Sequence, residues 1–402
     1  MKSRTGLDRT RTRQWRPATQ AIRGGTMRSD FGETSEALFL TSGFCYDSAE
    51  EVAARFRGEA DGFTYSRQGN PTVAMFEERL ALLEGAEMAR ATGTGMAAMT
   101  AALLCQLKAG DHVVAARAMF GSCRWLVDSL LPRYGIETTV VDGRDNDAWA
   151  RARRPNTRVF FLETPANPTL DICDLKAVAD LAHDAGARLV VDNVFATPIL
   201  QRPLELGADV IAYSATKHID GQGRVLGGAI CCTREFDTEY LFPFFRHTGC
   251  VMAPFNAWVL LKGLETLELR VRRMSDNAAR IADFLAERVP TLLYPGRPDF
   301  AQHALAMAQM SAGGTIMSFL LDGGEAQAFA LLNALELIDI SNNIGDSRSL
   351  ATHPASTTHK ALAPAVQAEL GITPGMIRLS VGLEDPADLI ADLDQALKAA
   401  GL

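Results

Sequence analysis

The chain has 402 residues, of which 47% are hydrophobic and 22% charged, and its net charge is −8. This length is more than one compact core usually holds, and it predicts two domains. The acidic balance argues against nucleic-acid binding, which needs a basic surface, and no apolar stretch approaches the roughly 18 residues of a membrane-spanning helix.

The first 16 residues form a separate basic segment. They contain one lysine and five arginines but almost no apolar residues, so we predict a disordered tail over residues 1–16. A transit peptide or an anion-binding arm is the alternative. A secretory signal is excluded because no apolar stretch follows the charges. Residues 17–65 show little periodicity and are predicted to form an irregular N-terminal arm.

Residues 66–260 are predicted to form the larger of two α/β domains. Helical patterns cover 73–84, 95–107, 121–134 and 174–185. Strands are predicted at 87–92, 111–116, 136–141, 157–162, 187–191, 208–213 and 226–232. Some of these runs are apolar almost throughout, which is typical of strands buried on both faces of a mostly parallel sheet.

The second domain is predicted at residues 261–402. A long helical stretch over 254–287 begins at Pro254 and leads into it. Strands near 314–320, 337–341 and 376–381 and helices near 325–335 and 386–399 follow. This pattern indicates a smaller C-terminal α/β layer.

Cysteines and histidines give no sign of disulfides or metal binding. The seven cysteines are scattered, odd in number and free of C-x-x-C pairs, as in a cytoplasmic protein with reduced thiols. The seven histidines show no metal-ligand spacing, so we expect no metal.

Chemically useful residues follow the predicted strands, where parallel sheets bind ligands. Asp192 ends one strand, and Ser214, Thr216 and Lys217 follow the next. A buried carboxylate needs a cation such as a protonated pyridine nitrogen, and a buried lysine becomes a nucleophile for an aldehyde. The run Gly93-Thr94-Gly95-Met96 opens a helix, whose free N–H groups favour phosphate. Together these features predict pyridoxal phosphate.

Taken alone, each feature has an ordinary explanation. Asp192 can cap a helix, Lys217 can be a solvated side chain, and the hydroxyls and glycines can serve tight turns. The glycine run also loosely matches a dinucleotide-binding fingerprint. Arg117 occupies the position at which that fingerprint requires an acidic residue, which makes a nicotinamide enzyme the weaker interpretation.

Five segments resemble the Cys/Met-metabolism family of pyridoxal-phosphate enzymes, which includes cystathionine γ-synthase, γ- and β-lyases and homoserine-ester sulfhydrylases. They are Tyr65-Ser-Arg67-Gln-Gly-Asn70-Pro-Thr, Thr94-Gly-Met-Ala97, Val191-Asp192-Asn193, Ser214-Ala-Thr216-Lys217 and Arg378-Leu-Ser-Val-Gly-Leu-Glu-Asp385. The resemblance runs from about residue 19 to the C-terminus. It implies the aspartate-aminotransferase-like (fold type I) architecture, with a large seven-stranded domain and a smaller C-terminal domain. Residues 214–228, 37–42, 119–122 and 254–258 are most similar to the family's O-succinylhomoserine sulfhydrylases.

The resemblance also implies roles for individual residues. Lys217 is expected to hold the cofactor as a Schiff base, Asp192 to pair with the ring nitrogen, and Asn167 to lie near the ring hydroxyl. The residues expected to hold the phosphate are Gly95, Met96, Ser214 and Thr216. Tyr65 and Arg67 are expected to reach the phosphate of a neighbouring subunit. The resemblance therefore implies a homo-oligomer, a tetramer built from dimers that share active sites.

Further residues are expected to contact the substrate. Arg378 resembles the arginine that binds the substrate α-carboxylate, for which a guanidinium is well suited. Asn343 and Ile344 stand where the family has a substrate-contacting Ser-Leu pair. Phe120-Gly121 stands where the lyases have Tyr-Gly. A phenyl ring can stack on the cofactor but cannot protonate a leaving group, which argues against a γ-lyase and suits a leaving carboxylate such as succinate.

These implications give a hypothesis of γ-replacement. Lys217 removes the α-proton, the ring absorbs the resulting charge with help from Asp192, and the γ-ester leaves. Hydrosulfide then adds, giving homocysteine and succinate from O-succinylhomoserine, as in methionine biosynthesis. Cystathionine γ-synthase, an O-acetylhomoserine sulfhydrylase, a γ-lyase and a catalytically idle scaffold are the alternatives.

Overall fold

The structure is a computed structural model and describes residues 12–402. The predicted basic tail, residues 1–16, lies mostly outside these residues and stays a prediction. In its described part, Arg13 donates hydrogen bonds to the main-chain carbonyls of Ala86 (3.3 Å) and Glu87 (3.4 Å). The described part of the predicted tail therefore contacts the large domain.

The larger sheet in the described chain has seven strands, in the order β1-β7-β6-β5-β4-β2-β3. They are β1 Met88–Thr92, β2 His112–Ala116, β3 Glu137–Val141, β4 Thr157–Glu163, β5 Arg188–Asp192, β6 Val210–Tyr213 and β7 Gly228–Cys232. Only β7 runs against the others in this sheet, because it pairs antiparallel with both β1 and β6. The predicted mostly parallel α/β sheet is thus confirmed, and six carboxyl ends lie at one edge.

Helices cover both faces of this sheet and create two apolar cores. Side chains of a strand alternate between faces, so Phe160 and Leu162 of β4 join one core while Val159 and Phe161 join the other. The first core is covered by helices Pro71–Glu84, Leu175–Asp184 and Pro254–Glu265. The second is covered by helix Gly95–Leu104 and by the helical segment that begins at Gly121.

The remaining helices are mostly short. Two of them, Pro17–Arg23 and Ala49–Arg57, lie in the arm for which we predicted irregular structure. Ser48 caps the second by accepting a hydrogen bond from the Glu51 main-chain N–H, and Gly58 ends it at φ 73°. The others are Gly121–Trp125 and Leu131–Arg133 joined by a π-helical turn, Asn146–Arg151, Thr197–Leu200, Arg234–Phe236, Phe242–Thr248, His303–Gln309, Gly324–Ala334, Pro364–Glu369 and Pro386–Ala399.

The long helical stretch predicted at 254–287 consists of two helices. Pro254–Glu265 and Leu267–Ala286 meet at Thr266, whose φ of −114° and ψ of 6° break the helical repeat. Leu267 and Val271 pack in a core of the large sheet, whereas Ala278 and Leu285 pack in the core of the small sheet. We therefore propose a domain boundary inside the second helix, later than residue 261.

The smaller sheet has five strands among the described residues, in the order β10-β11-β12-β9-β8. They are β8 Thr291–Leu293, β9 Ile316–Leu320, β10 Asp339–Ile340, β11 Leu350–Thr352 and β12 Met376–Ser380. Three of them were predicted, and the three-residue strands β8 and β11 were not. Strand β12 lies between β9 and β11, and this central position fixes Arg378 within a fully buried strand.

Candidate active site

A cavity of about 240 Å³ opens where the carboxyl edge of the large sheet meets the small domain. The predicted site residues that line it are Gly95, Met96, Phe120, Asn167, Asp192, Ser214, Thr216, Lys217, Ile344 and Arg378. Asn343 is brought to the same place, because it accepts a hydrogen bond from Lys217. Residues separated by up to 283 positions in sequence thus meet at one edge of the sheet (378 minus 95).

One end of the cavity is built as an anion cradle. Thr94 has extended backbone angles and caps helix Gly95–Leu104, because its hydroxyl accepts the Ala97 main-chain N–H at 3.1 Å. The main-chain N–H groups of Gly95 and Met96 stay available at the positive end of the helix dipole. A Cβ at Gly95 would lie 2.6 Å from the Ser214 Cβ, so only glycine lets the helix approach this loop. The arrangement fits a phosphate group.

Lys217 lines the cavity, and its amine is partly desolvated. Burial, and then the positive charge of Arg378, lower the pKa of Lys217 to about 8. The amine donates a hydrogen bond of 2.6 Å to the Asn343 Oδ1 atom. A lysine with such a pKa has an appreciable deprotonated fraction near neutral pH, which an amine needs to attack an aldehyde or accept a proton.

Asp192 is a buried carboxylic acid at the carboxyl end of β5. Burial raises the pKa of Asp192 to about 7, against the effect of the Val194 main-chain N–H that it accepts at 3.1 Å. Its side chain is on the same face as Val190, toward the second core. A cationic heterocycle placed against Asp192 would hold it ionised, which is the role that a protonated pyridine nitrogen fills.

Arg378 reaches into the cavity from the small domain and is almost fully buried. Its Nη1 atom donates to the Asn167 Oδ1 atom at 2.9 Å, and Nη2 donates to the carbonyls of Asn342 (3.0 Å) and Asn343 (3.3 Å). Among the described residues, its Nε atom has no partner. Burial lowers the pKa of Arg378 to about 10, so it stays a cation and fits a carboxylate ligand.

Tyr65 and Arg67 are not brought to this cavity within one chain. Both side chains are exposed, and the Arg67 guanidinium lies 5.6 Å from the Tyr65 ring centroid. Arg67 also donates to the main-chain carbonyl of Arg246. Their predicted role in a neighbouring subunit stays a prediction.

Several cavity residues were not among the predicted site residues. They are Thr94, Met99, Cys123, Glu163, Val194, Phe195, Leu226, Asn342 and Thr358. Thr94 and Glu163 carried detectable signals, since one precedes a helix and the other directly follows a predicted strand. Thr358, on the loop after β11, is followed by buried His359, whose Nε2 atom has no partner among the described residues.

Two kinds of feature are absent from residues 12–402. They contain no cluster of three or more His, Cys, Asp or Glu residues arranged to hold a metal ion. In the same residues, no helix combines the length and apolarity that crossing a membrane requires.

Comparison with known proteins gives consistent results. A family model described as "Cys/Met metabolism PLP-dependent enzyme" matches residues 18–398. O-succinylhomoserine sulfhydrylase of Mycobacterium tuberculosis is 53% identical, covering 94% of this chain and 95% of that protein. L-methionine gamma-lyase of Porphyromonas gingivalis is 41% identical, covering 94% and 96%. The crystal structure of a putative O-acetylhomoserine (thiol)-lyase from Campylobacter jejuni, which carries N'-pyridoxyl-lysine-5'-monophosphate, superposes with a TM-score of 0.91 at 31% identity and covers 96% of this chain and all of that one.

Proposed function

Because the chain belongs to the Cys/Met-metabolism family of pyridoxal-phosphate-dependent enzymes, we propose that it catalyses γ-replacement on O-succinylhomoserine. Hydrosulfide is the incoming nucleophile, and the products are homocysteine and succinate. The cofactor is pyridoxal phosphate. The proposed site residues are those of the cavity, with Lys217 as the catalytic residue.

The observation that carries the choice of reaction is Phe120 in the cavity wall. Among the described residues of one chain, no tyrosine or histidine lines this cavity, so no phenol or imidazole of the same chain can protonate a leaving thiolate. A succinate leaving group is a stable carboxylate and needs little such help. The relatives of that name support the same choice, being 53% and 45% identical against 41% for the gamma-lyase of P. gingivalis.

The chain's own residues fit the steps of this reaction. When bound, pyridoxal phosphate supplies an electron-withdrawing ring that stabilises negative charge on the substrate α-carbon. Lys217, with its lowered pKa, takes the α-proton and returns it further along the substrate, and Asn343 holds its amine in place. Arg378 binds the α-carboxylate through its Nε atom, which has no partner within the described residues, and an adjacent N–H. Asp192, in the same cavity, is the carboxylate that would pair with the protonated ring nitrogen.

We also propose that each cavity is completed by Tyr65 and Arg67 of a second copy, in a tetramer built from dimers. Both side chains are exposed on this chain and carry the hydroxyl and guanidinium groups that bind phosphate.

The large domain is proposed to extend from residue 66 into helix Leu267–Ala286. A cytoplasmic location stays a prediction.

The test is product formation by the purified enzyme from O-succinylhomoserine in separate reactions with sulfide, with cysteine and without a nucleophile. Homocysteine as the main product supports the proposal. Cystathionine as the main product would make the enzyme a cystathionine γ-synthase, and equal rates with O-acetylhomoserine would remove the succinyl preference. Rapid release of methanethiol from methionine would instead identify a γ-lyase.

Phe120→Tyr is the informative variant for this assay, and Lys217→Ala is its inactive control. If the missing hydroxyl sets the reaction, Phe120→Tyr gains elimination from methionine relative to wild type while it keeps the cofactor. If elimination from methionine is already fast in the wild-type enzyme, the argument from Phe120 is wrong.

A further inference from the structure

A second buried carboxylate, Glu163, lies beside the proposed partner of the ring nitrogen. Glu163 ends β4, and its register partner on β5 is Asp192. Register partners in a parallel pair point to the same face, so both side chains enter the cavity side by side. Only 3% of Glu163 and 5% of Asp192 is exposed, so water screens the charge of neither carboxylate effectively.

Each oxygen of Glu163 is used by a different loop of the site. The Oε2 atom accepts the Phe120 main-chain N–H at 2.6 Å, and the Oε1 atom accepts the Asn167 main-chain N–H at 3.0 Å. Phe120 follows β2 and Asn167 follows β4, so one side chain ties together the two loops on this side of the cavity. Asn167 in turn accepts a hydrogen bond from Arg378, which extends the connection to the small domain.

The polar contacts of Glu163 are those of an ionised carboxylate. Its hydrogen-bond partners within residues 12–402 are both main-chain N–H donors, and neither can accept a hydrogen bond from a Glu163 O–H. Burial, and then the neighbouring Asp192, raise the pKa of Glu163 well above its usual range, while the two N–H donors and Arg378 oppose this. Additional positive charge in the cavity therefore favours ionisation of both acids.

We propose that Glu163 is a positioning residue for the cofactor ring, which fixes the loops of Phe120 and Asn167 and places a second negative charge next to Asp192. By fixing the two loops, Glu163 sets the positions of the Phe120 ring and of the Arg378 guanidinium. The negative charge of Glu163 strengthens the preference of the site for a protonated ring nitrogen. The inference rests on the proposed roles of Asp192 and Phe120 and on the cofactor, and it is independent of which ester or sulfur donor the enzyme uses.

The test is the variant Glu163→Gln in the holoenzyme, read by the pH dependence of the bound cofactor's visible absorption and by its induced circular dichroism. Gln keeps the volume of the side chain but removes the charge and replaces one acceptor by a donor that faces an N–H. We expect the pH midpoint to fall by about one unit, as for loss of a neighbouring opposite charge. We also expect the circular dichroism band to weaken and the dissociation constant of the cofactor to rise about tenfold.

Glu84→Gln is the matched control. Glu84 is also a fully buried carboxylate of the large domain, but it lies in contact with Tyr213 on the opposite core and does not line the cavity. It is expected to change stability and to leave the pH midpoint and the dichroism unchanged. If Glu163→Gln behaves like Glu84→Gln in both spectral readouts, Glu163 is a structural residue and the inference is overturned.

Glu163→Asp separates the two actions and serves if the Gln variant does not fold. Asp keeps the charge but is one methylene shorter, so it cannot reach both N–H groups. We expect the pH midpoint of Glu163→Asp to stay near that of wild type while its dichroism band weakens. Besides Asp192, the ionisable groups around Glu163 are Arg378 and the thiols of Cys123 and Cys173. Arg378 stays a cation, and burial raises the pKa values of the two thiols, so the thiols stay uncharged in this titration. A midpoint shift as large in the Asp variant as in the Gln variant would contradict the role of the charge.

Discussion

Replacing Arg378 by lysine tests the assignment of the substrate carboxylate site without removing the positive charge. Arg378 donates from Nη1 to Asn167 and from Nη2 to two main-chain carbonyls, and within residues 12–402 its Nε atom has no partner and is available to a ligand. A lysine has a single nitrogen at the end of a flexible stem and cannot satisfy these protein acceptors while also forming a paired contact with a carboxylate.

The expected effect follows from the hydrogen bonds that are lost. One charge-assisted hydrogen bond to a carboxylate contributes about 1.5–3 kcal/mol, and losing one of a bidentate pair corresponds to about a 10- to 150-fold loss. We expect this loss in kcat/KM for Arg378→Lys, mainly through a higher KM, because the contact is present in the bound substrate as well as in the transition state. The absorption of the bound cofactor is expected to stay near that of wild type.

The assay is steady-state kinetics with O-succinylhomoserine as the varied substrate, with Arg79→Lys as the control. Arg79 is equally buried and, like Arg378, donates to a main-chain carbonyl, in this case from Nε to Gly24 at 2.7 Å, but it does not line the cavity. That control is expected to lose stability with little change in kcat/KM below its melting temperature. A kcat/KM for Arg378→Lys within about threefold of the control would refute the assignment, since the predicted loss starts at about tenfold.

Two further predictions concern the cofactor cradle and the pH dependence of folding. Gly95→Ala places a Cβ 2.6 Å from the Ser214 side chain, so we expect at least about tenfold weaker cofactor binding in a spectral titration. Unchanged binding would contradict the proposed role of Gly95 in holding the phosphate. Burial raises the pKa of Glu84 to about 8, so the folded state binds this proton more tightly than the unfolded state. Its stabilising contribution is present below the unfolded pKa of 4.5 and is lost as the pH rises toward 8. Glu84→Gln should therefore show a smaller decline in the free energy of unfolding between pH 5 and pH 8, measured by denaturant titration, and parallel curves for both proteins would exclude the effect.

The large sheet and much of the cavity were predictable from sequence because each signal is local. A run that is apolar at nearly every position predicts a buried strand, and the residue just beyond it is at the ligand-binding edge if the sheet is parallel. Lys217 and Asp192 were found in this way. Glu163 carried the same signal, but its importance depends on being the register partner of Asp192, and pairing between strands is not encoded in either segment alone.

The small domain was predictable only in part because its strands are short. Strands β8 and β11 have three residues each, too few to show an alternating pattern. The break at Thr266 is set by tertiary contacts, since Arg270 beyond it donates to the carbonyls of His218 and Gly263. The helix Ala49–Arg57 had a readable signal in Ser48, Glu51 and Gly58, which form a capping residue, an acidic first turn and a left-handed end.

The charges in the cavity also give a reason for the proposed shared active site. The ionisable groups that line it in one chain, apart from a buried thiol, are Glu163, Asp192, Lys217 and Arg378, two acids and two bases. Pyridoxal phosphate adds a phosphate of about −1.5 to −2 charge, for which residues 12–402 of one chain offer only N–H groups and hydroxyls in this cavity. Arg67 of a second copy would supply the missing cation.

Mixing two inactive variants tests this shared site directly. Arg67→Ala and Lys217→Ala are each expected to be nearly inactive. If each site combines Lys217 of one subunit with Arg67 of another, half of randomly mixed dimers contain one intact site of two, so co-refolded variants should recover about a quarter of wild-type activity. Variants mixed without subunit exchange provide the baseline. Recovery no higher than that baseline would mean that both residues act within one chain or that Arg67 does not reach the phosphate.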